Sequence, residues 1–304
     1  MRVGITGSTG FIGSALVSAL RRRGDEVVRF VRPDSTVRDG SIVRWNPTTG
    51  DLDDGDLQSA GRFDAVVNLA GAGMADRRWS DARKKVIMDS RVHSTSLLVE
   101  ALASARGTMH LVSASAIGVY GADVDQTCDE SAPAGDDFLA SVCLAWEETA
   151  LTLEQHGAVV SLVRSGIVLD ASGGALKKQL PLFRAGFGGV LGTGRQWQSV
   201  ISLDDQVNAI LWILDHPMAG AINLVSPTPV TNRQFTNALA QTLHRPAAVR
   251  VPAFALRLVL GDELVRTAVL ASQRVVPAAL LADGFSFSAP DLESILASAL
   301  APNR

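Results

Sequence analysis

Three glycines near the start of the sequence have the spacing of a loop that binds a diphosphate. They lie in Gly7-Ser8-Thr9-Gly10-Phe11-Ile12-Gly13, between a short apolar run at 3–5 and an amphipathic stretch that ends at Gly24. The first glycine of such a turn permits a sharp bend, the second lets backbone approach a pyrophosphate, and the third lets helix pack on strand. Amides at the start of the helix attract negative charge. The segment predicts a dinucleotide-binding loop, with a purely structural turn as the alternative.

The end of the second predicted strand, at 27–31, indicates which dinucleotide binds. Proteins that bind NAD usually place Asp or Glu there, to accept hydrogen bonds from the ribose hydroxyls. In this sequence the strand is followed by Arg32, and the first acid is Asp34. The Arg32 guanidinium would pair with a 2′-phosphate through two parallel hydrogen bonds, and a solvated charge at the strand end is the alternative. We therefore expect NADP(H), with NAD(H) less favoured, and Arg32 as the deciding residue.

Apolar runs alternate with amphipathic stretches over the first 170 residues, and this order predicts the fold. The predicted strands are 3–5, 27–31, 42–45, 65–69, 110–113 and 159–163, and the predicted helices are 11–23, 80–103 and 137–156. Alternating strands and helices favour a parallel sheet with helices on both faces, because the crossover connections are right-handed. The predicted fold class is α/β, a doubly wound parallel sheet of the Rossmann type.

The pattern changes after Asp170, where glycines become frequent and the periodic stretches are 203–214, 221–225 and 231–243. We predict that residues 1–170 and about 203–225 form the dinucleotide-binding domain. Residues 171–202 and 226–304 would form a smaller, mostly helical lobe at the carboxyl edge of the sheet. Ligands of such sheets bind beyond the carboxyl ends of the strands. The cleft should therefore include Leu69-Ala70-Gly71 and Ser165-Gly166.

Composition limits the partners that this chain is expected to have. A net charge of −3 on 304 residues gives no electrostatic reason to bind nucleic acid or an anionic membrane. No apolar run reaches the ~18 residues of a membrane helix, and no presequence precedes the first predicted strand. Cys128 and Cys143 lack the spacing of metal ligands and are expected to be reduced, packed thiols. We expect a cytoplasmic protein without a metal site, acting on a small molecule.

Several segments form a set that occurs together in known proteins. They are Thr6 with the glycine loop, Asn68-Leu69-Ala70-Gly71, Ser113-Ala114-Ser115 before Val119-Tyr120-Gly121, Arg77-Arg78-Trp79-Ser80, Ser90-Arg91-Val92, Phe138-Leu139 before Trp146-Glu147, Gly192-x-Gly194-Arg195-Gln196-Trp197, and Pro277 before Gly284-Phe285. The set resembles the extended short-chain dehydrogenase/reductases of the NAD(P)-dependent epimerase/dehydratase superfamily. It is most similar to a little-characterised branch labelled "epimerase family", also mislabelled as cell-division-inhibitor homologues. That branch has a short C-terminal domain of unknown function, here at about 250–298. The resemblance implies a fold and a cofactor more firmly than a reaction.

The resemblance also implies a catalytic serine or threonine, a tyrosine, and a lysine four residues after the tyrosine. The tyrosine transfers a proton, and because a phenol has a pKa near ~10, the charge of the lysine is needed to lower it. At the matching positions this chain has Phe138 and Val142. Ser113 and Ser115 stand where the serine is expected, or they are loop serines that satisfy backbone groups. Tyr120, the only tyrosine, is either a displaced acid–base group or a packed ring with a bonded hydroxyl.

A second departure concerns the substrate. Where relatives hold a sugar-nucleotide phosphate with an arginine, this chain has Gln198, and Ser202 replaces the usual histidine. Arg91 replaces a structural asparagine, which we interpret as a feature of the branch. Contacts to an anion or to an apolar substrate would come instead from Arg77, Trp79, Arg195 and Trp197. Surface arginines and packed tryptophans are the alternative interpretation of these four residues.

Three functions are consistent with these residues. The first is an NADP-dependent oxidoreductase or epimerase-like enzyme acting on a small carbonyl or alcohol, with serine hydroxyls orienting the substrate. The second is a non-catalytic NADP(H) sensor or scaffold, which the loss of the tyrosine and lysine favours. The third is a nucleotide-sugar epimerase. Relatives often pair through the two long helices, so a homodimer through 80–103 and 137–156 is a further expectation.

Overall fold

A parallel sheet forms the centre of the molecule. The computed structural model of the chain describes residues 1–37, 40–74, 77–104 and 109–301. The strands, in chain order, are β1 (Arg2–Thr6), β2 (Glu26–Val31), β3 (Ser41–Asn46), β4 (Asp51–Leu52), β5 (Ala65–Asn68), β6 (His110–Ala116), β7 (Asp123–Cys128), β8 (Val159–Ser165), β9 (Ile167–Asp170), β10 (Gly189–Leu191), β11 (Trp197–Gln198), β12 (Val200–Ser202), β13 (Gly220–Leu224), β14 (Val230–Thr231), β15 (Val249–Val251) and β16 (Ser272–Val275).

Helices surround this sheet and form most of the remaining structure. In chain order they are α1 (Phe11–Arg23), α2 (Asp54–Ala60), α3 (Asp81–Ala103), α4 (Phe138–Leu151), α5 (Gly174–Arg184), α6 (Leu203–Asp215), α7 (Asn232–Thr242), α8 (Ala253–Leu260), α9 (Asp262–Leu264), α10 (Ala278–Ala282) and α11 (Leu292–Ala299). Two of the predicted helices begin at side-chain caps. Ser80 accepts from the Arg83 amide ahead of α3, and Asp137 accepts from the Ala140 amide ahead of α4, which satisfies donors that a helix start leaves open.

The main sheet has eight strands in the order β13-β8-β6-β5-β1-β2-β3-β4. Its neighbours pair in parallel except for the short antiparallel pair of β3 and β4. The chain runs outward from β1 through β2 and β3, and then returns to place β5 on the other side of β1. This reversal opens a crevice beyond the carboxyl ends of β1 and β5, where ligands of doubly wound sheets bind. The predicted α/β fold with a Rossmann-type sheet is confirmed.

Apolar side chains cover both faces of the sheet. One core packs α1 and α6 on the sheet, with Leu16 and Ile210 fully buried. The other packs α3 and the end of α4 on the opposite face, around Phe30 and Leu98. Each buried leucine or isoleucine stabilises the fold by about 1.5–3 kcal/mol, so the two cores fix the sheet whose edge holds the crevice.

A third core lies in the predicted lobe, where α5, α7 and α11 pack around Leu176, Phe235 and Ile295. The C-terminal segment belongs to more than this core, because Leu280 and Phe285 pack with the face of the sheet that α1 covers. Among the described residues, no helix is both long and apolar enough to cross a membrane.

Candidate functional site

A cleft of about 480 Å³ opens at the carboxyl ends of β1, β5, β6 and β8. Its walls are the glycine loop, the first half of α4, and two segments contributed by the smaller lobe, residues 197–199 and 267–273. Side chains such as Leu139, Val142 and Trp197 make the lining largely apolar, and a few polar groups converge on it. This combination is typical of a small-molecule site.

Backbone contacts at the glycine loop leave no space for side chains at two of its positions. Gly7 has φ +62°, a left-handed conformation that favours glycine, and a Cβ there would lie 2.5 Å from the Leu69 carbonyl oxygen. A Cβ at Gly13 would lie 2.2 Å from the Gly7 carbonyl oxygen. The first glycine thus joins the loop to the end of β5, and the third lets α1 approach β1.

The start of α1 is open toward the cleft. Gly10 is the N-cap residue and has no side chain that would bond the first amides of the helix. The first intrahelical bond runs from the Ser14 amide to the Gly10 carbonyl oxygen at 2.9 Å, so the amides of Phe11, Ile12 and Gly13 precede it. Gly10 to Gly13 all line the cleft. A dinucleotide diphosphate fits this arrangement, because amides and helix dipole favour an anion at this point.

Two arginines lie in β2 and just after it. Arg29, buried in β2, donates from Nε to the Ser8 hydroxyl at 3.1 Å and from Nη2 to the Ser8 carbonyl oxygen at 3.4 Å. Arg32 is exposed just beyond the end of β2. Sequence reasoning singled out Arg32 and missed Arg29, although a charged residue within the apolar run of β2 was the available signal. Arg29 is thus already bonded to the glycine loop, and Arg32 presents an exposed guanidinium after β2.

Ser113 belongs to the scaffold of the cleft rather than to its lining. It is fully buried, and its hydroxyl accepts from Asn68 Nδ2 at 3.4 Å. Asn68 also donates to Thr95 at 2.9 Å and accepts from Thr6 at 2.7 Å, and Trp146 donates to the same Thr95 hydroxyl. This buried network joins β1, β5, β6, α3 and α4, so it fixes the elements that carry the site.

Ser115 does line the cleft, and it donates its hydroxyl hydrogen to Glu147 Oε1 at 2.6 Å. Glu147 is buried in α4 and forms two hydrogen bonds with Arg164, at 2.9 and 2.8 Å. Arg164 also donates to the Tyr120 hydroxyl at 3.0 Å, which in turn donates to Asn223 Oδ1 at 2.7 Å. Sequence reasoning mentioned Glu147 only as part of a motif and did not predict Arg164.

The same contacts decide between the two roles predicted for Tyr120. Burial, partly offset by the Arg164 hydrogen bond, raises the pKa of the Tyr120 hydroxyl to about 12. The ring is 4% exposed and lies outside the lining of the cleft. Tyr120 thus lies in the structure as a packed ring with a bonded hydroxyl, the arrangement expected of the second of the two alternatives.

Two apolar residues, Phe138 and Val142, occupy the positions of the expected tyrosine and lysine. Val142 is buried and lines the cleft, whereas Phe138 packs edge-on against Trp79, with ring centroids 5.1 Å apart. Lys84 Nζ lies 5.4 Å from the Phe138 centroid and pairs with Glu263 at 2.7 Å. Cys143, one turn after Leu139, also lines the cleft, and burial raises the pKa of its thiol to about 11. Both cysteines are free and buried, as expected.

Arg91 is the cleft residue whose importance the sequence did not reveal. It lies in α3, is 8% exposed, and lines the cleft beside Gly71. Its Nη1 donates to the Ile87 carbonyl oxygen at 3.1 Å, and its guanidinium carbon lies 5.2 Å from the Trp146 ring centroid. Burial lowers the pKa of Arg91. Among the residues that the structure describes, no carboxylate pairs with it.

The structure thus divides the predicted site residues into two groups. The predicted residues that line the cleft are Gly7, Gly10, Phe11, Ile12, Gly13, Leu69, Gly71, Ser115, Ser165, Gly166 and Trp197, together with Val142. Those that lie outside its lining are Ser8, Thr9, Arg32, Ala70, Arg77, Trp79, Ser113, Tyr120, Phe138 and Arg195. Arg77 and Arg195 are exposed, and Trp79 donates to the Met74 carbonyl oxygen. The anion contact by these arginines stays a prediction from the sequence. Within the described ranges, no cluster of His, Cys, Asp or Glu suits a metal ion.

Comparison with known proteins adds two family matches. The model described as NAD dependent epimerase/dehydratase family matches residues 3–225. A second, described as a domain of unknown function (DUF1731), matches residues 251–299, which agrees with the C-terminal unit predicted at about 250–298.

Individual relatives are similar over nearly the whole chain. An epimerase family protein of Mycobacterium tuberculosis (strain CDC 1551 / Oshkosh) is 42% identical over 286 residues, covering 94% of this chain and 93% of that protein. The chloroplastic SDR39U1 homolog of Arabidopsis thaliana is 39% identical, covering 94% of this chain and 83% of that protein. The crystal structure of the human epimerase family protein SDR39U1 (isoform2) with NADPH is similar, with a TM-score of 0.87 and 31% identity, over 98% of this chain and 99% of that chain.

Proposed function

Because the chain belongs to the NAD dependent epimerase/dehydratase family, we propose that it binds NADP(H) and oxidises or reduces a small alcohol or carbonyl in its cleft. The observation that carries this proposal is the glycine loop, whose uncapped helix start lies at the carboxyl edge of β1 and lines the cleft. The human relative crystallised with NADPH supports the choice of cofactor.

The residues that would hold the cofactor follow from the geometry. The amides at the start of α1 would bind the diphosphate, and Leu69 and Gly71 would border it at the end of β5. Arg32, with Arg29 behind it, would receive the 2′-phosphate. Ser165 and Gly166, at the end of β8, line the part of the cleft left for the nicotinamide end. When bound, the cofactor would supply or accept a hydride, and the protein would supply orientation and charge.

Ser115 is the hydroxyl best placed to orient a substrate. Because it donates its hydrogen to Glu147, its oxygen is left to accept a hydrogen bond from a ligand. An alcohol substrate would therefore be held by its own hydroxyl hydrogen. Val142 and Leu139 on α4 would exclude water from the reacting end of the cleft.

A non-catalytic NADP(H) sensor is the second candidate. Phe138 and Val142 transfer no proton, and losing a positioned acid or base typically lowers a rate by ~10²–10⁴-fold. Tyr120 is held by Arg164 and Asn223, outside the cleft lining. A nucleotide-sugar epimerase, a cytoplasmic location and a homodimer through α3 and α4 remain predictions from the sequence.

Purified protein mixed with NADP⁺ and a broad panel of alcohols tests the proposal, with NADPH formation followed by its near-ultraviolet absorbance. We expect NADPH binding by calorimetry, turnover of at least one alcohol, and loss of that turnover in Ser115→Ala, because Ser115 would accept the hydroxyl hydrogen of the substrate. The matched control is Ser18→Ala, at an exposed serine of α1. Tight NADPH binding without turnover of any compound would favour the sensor. Failure of NADPH and NADH alike to bind at millimolar concentration would overturn both functions.

A further inference from the structure

The Arg91 guanidinium is a buried cation with an incomplete set of partners. It has five N–H donors, of which Nη1 bonds the Ile87 carbonyl oxygen, and the Trp146 ring covers part of its surface. Buried charges in folded proteins are normally paired, because removing an unpaired charge from water is strongly unfavourable. Glu147, a buried carboxylate of this site, already bonds Ser115 and Arg164. The remaining donors of Arg91 are therefore available to a ligand in the cleft that this residue lines.

A second arginine strengthens the positive charge at this place. Arg83 lies two turns before Arg91 on the same stripe of α3, and its Nη2 donates to the Gly73 carbonyl oxygen. Its Nε is buried without a hydrogen-bond partner. The charge of Arg83 adds to the effect of burial in lowering the pKa of Arg91. Among the described residues, neither arginine pairs with a carboxylate, and Asp89 between them on α3 pairs with Lys85. The two cations therefore favour negative charge at this end of the cleft.

The shape of the surroundings limits what that anion carries. The residues that line the same cleft as Arg91 include the apolar side chains of Met74, Leu139, Val142 and Trp197. Arg91 lines the cleft whereas Arg83 does not, so one cation meets the ligand directly. A planar carboxylate matches the fork of one guanidinium and carries one charge, whereas a phosphate carries more charge than one arginine neutralises.

We propose that Arg91 binds the carboxylate of the substrate, which is then an apolar carbonyl or hydroxy compound bearing one carboxylate group. This rests on the proposed function, because it names the substrate class of the same cleft. In this proposal a residue on α3 takes the role that the sequence analysis considered for Arg77 and Arg195, with exposed surface arginines as its alternative.

Benzoate and benzamide test the proposal, because they have nearly the same shape and differ in charge. Calorimetric titration into NADPH-saturated protein is expected to show benzoate binding about 10-fold or more tighter than benzamide, as for a hydrogen bond to a charged group. Arg91→Met should abolish that preference while NADPH affinity is retained, and Arg91→Lys should keep part of it. The control is Arg22→Met, at an exposed arginine in the last turn of α1.

Several outcomes overturn the proposal. They are equal binding of the two probes by the unmodified protein, a benzoate preference that survives in Arg91→Met, and tighter binding of inorganic phosphate than of benzoate with the glycine loop occupied by NADPH. The comparison in unmodified protein decides the matter even if Arg91→Met fails to fold, which thermal unfolding detects. If NADPH itself does not bind, the proposed function fails. The same titrations without cofactor then judge the carboxylate subsite by the same criteria.

Discussion

Alanine at Gly10 is expected to separate cofactor binding from stability of the fold. Gly10 has φ −76° and ψ 176°, a conformation that alanine adopts readily. A Cβ there would meet the Gly7 carbonyl oxygen at 3.1 Å, and beyond that contact it would enter the open cleft. At Gly13 the added Cβ would lie 2.2 Å from the same oxygen, with further backbone atoms at 2.9 and 3.0 Å. The two positions share one loop and differ in what the added carbon meets.

The magnitudes follow from these contacts. Gly10→Ala needs a shift of a few tenths of an ångström and should lower the free energy of unfolding by about 1 kcal/mol or less, the scale of an N-cap change. Gly13→Ala should cost about 1–3 kcal/mol or more, because backbone rather than a flexible side chain must move. In Gly10→Ala the methyl group keeps the diphosphate from the amides of α1. Losing a hydrogen bond to a charged group, worth about 1.5–3 kcal/mol, should weaken NADPH about 10- to 100-fold.

Calorimetry with NADPH and urea unfolding of the cofactor-free protein measure the two quantities separately. Gly55→Ala in α2, where the nearest atom to the added Cβ is Asp53 Oδ1 at 3.3 Å, is the matched control and should bind NADPH normally. If Gly10→Ala bound NADPH with the affinity of the unmodified protein, the diphosphate would not lie at the start of α1. The assignment of the glycine loop would then be wrong.

Three further predictions concern separate parts of the molecule. Arg32→Ala should weaken the binding of NADPH about 10-fold, measured by calorimetry, while the affinity for NADH changes little. An equal loss of affinity for both would remove the case for a 2′-phosphate contact. Glu147→Gln should lower the free energy of unfolding, measured by urea titration, by about 3–5 kcal/mol, because it leaves the largely buried Arg164 charge unpaired. A loss under about 1 kcal/mol would contradict this. Burial lowers the pKa of His110 from 6.5 to about 4, so the unfolded chain takes up a proton first on acidification. The free energy of unfolding should therefore fall by ~3 kcal/mol as the pH drops through that window, a slope that His110→Gln should flatten in urea titrations at several pH values.

The hydrophobic periodicity of the sequence predicted the long helices and most strands of the main sheet. The helix predicted at 80–103 is α3, Asp81–Ala103, and the one predicted at 137–156 is α4 followed by a 3-10 stretch at Thr152–His156. The short strands β15 and β16 were not predicted, because pairings with distant residues define them. Gln273, for example, pairs with Val124. Glycines on either side of α5 and Pro181 within it gave the segment at 171–202 a loop-like pattern that concealed its helix.

The sequence predicted the site residues whose type has few structural uses, and it did not separate those whose type has many. Glycines at 7, 10 and 13 have few alternatives in a strand–helix turn, and the structure places all of them at the cleft. Serine has many uses, and nothing in the sequence separated Ser113 from Ser115. The two serines are two positions apart on the same face of β6 and have different partners. Ser113 bonds Asn68 in the core, and Ser115 bonds Glu147 at the cleft wall. Only the three-dimensional arrangement of partners distinguishes them.

The distribution of charge in the cleft limits the chemistry that this site would perform. The resemblance to the family places an acid–base pair on α4, where this chain has Phe138 and Val142, so the cation of the cleft comes instead from α3 as Arg91. An arginine stays protonated at any accessible pH, and it therefore stabilises negative charge without delivering a proton. Ser115 likewise delivers no proton to a substrate while its hydroxyl hydrogen is bonded to Glu147. A reaction in this cleft would have to draw its proton from solvent or from the substrate, so its rate should be slow. That rate should also depend on how much water Leu139 and Val142 exclude from the cleft.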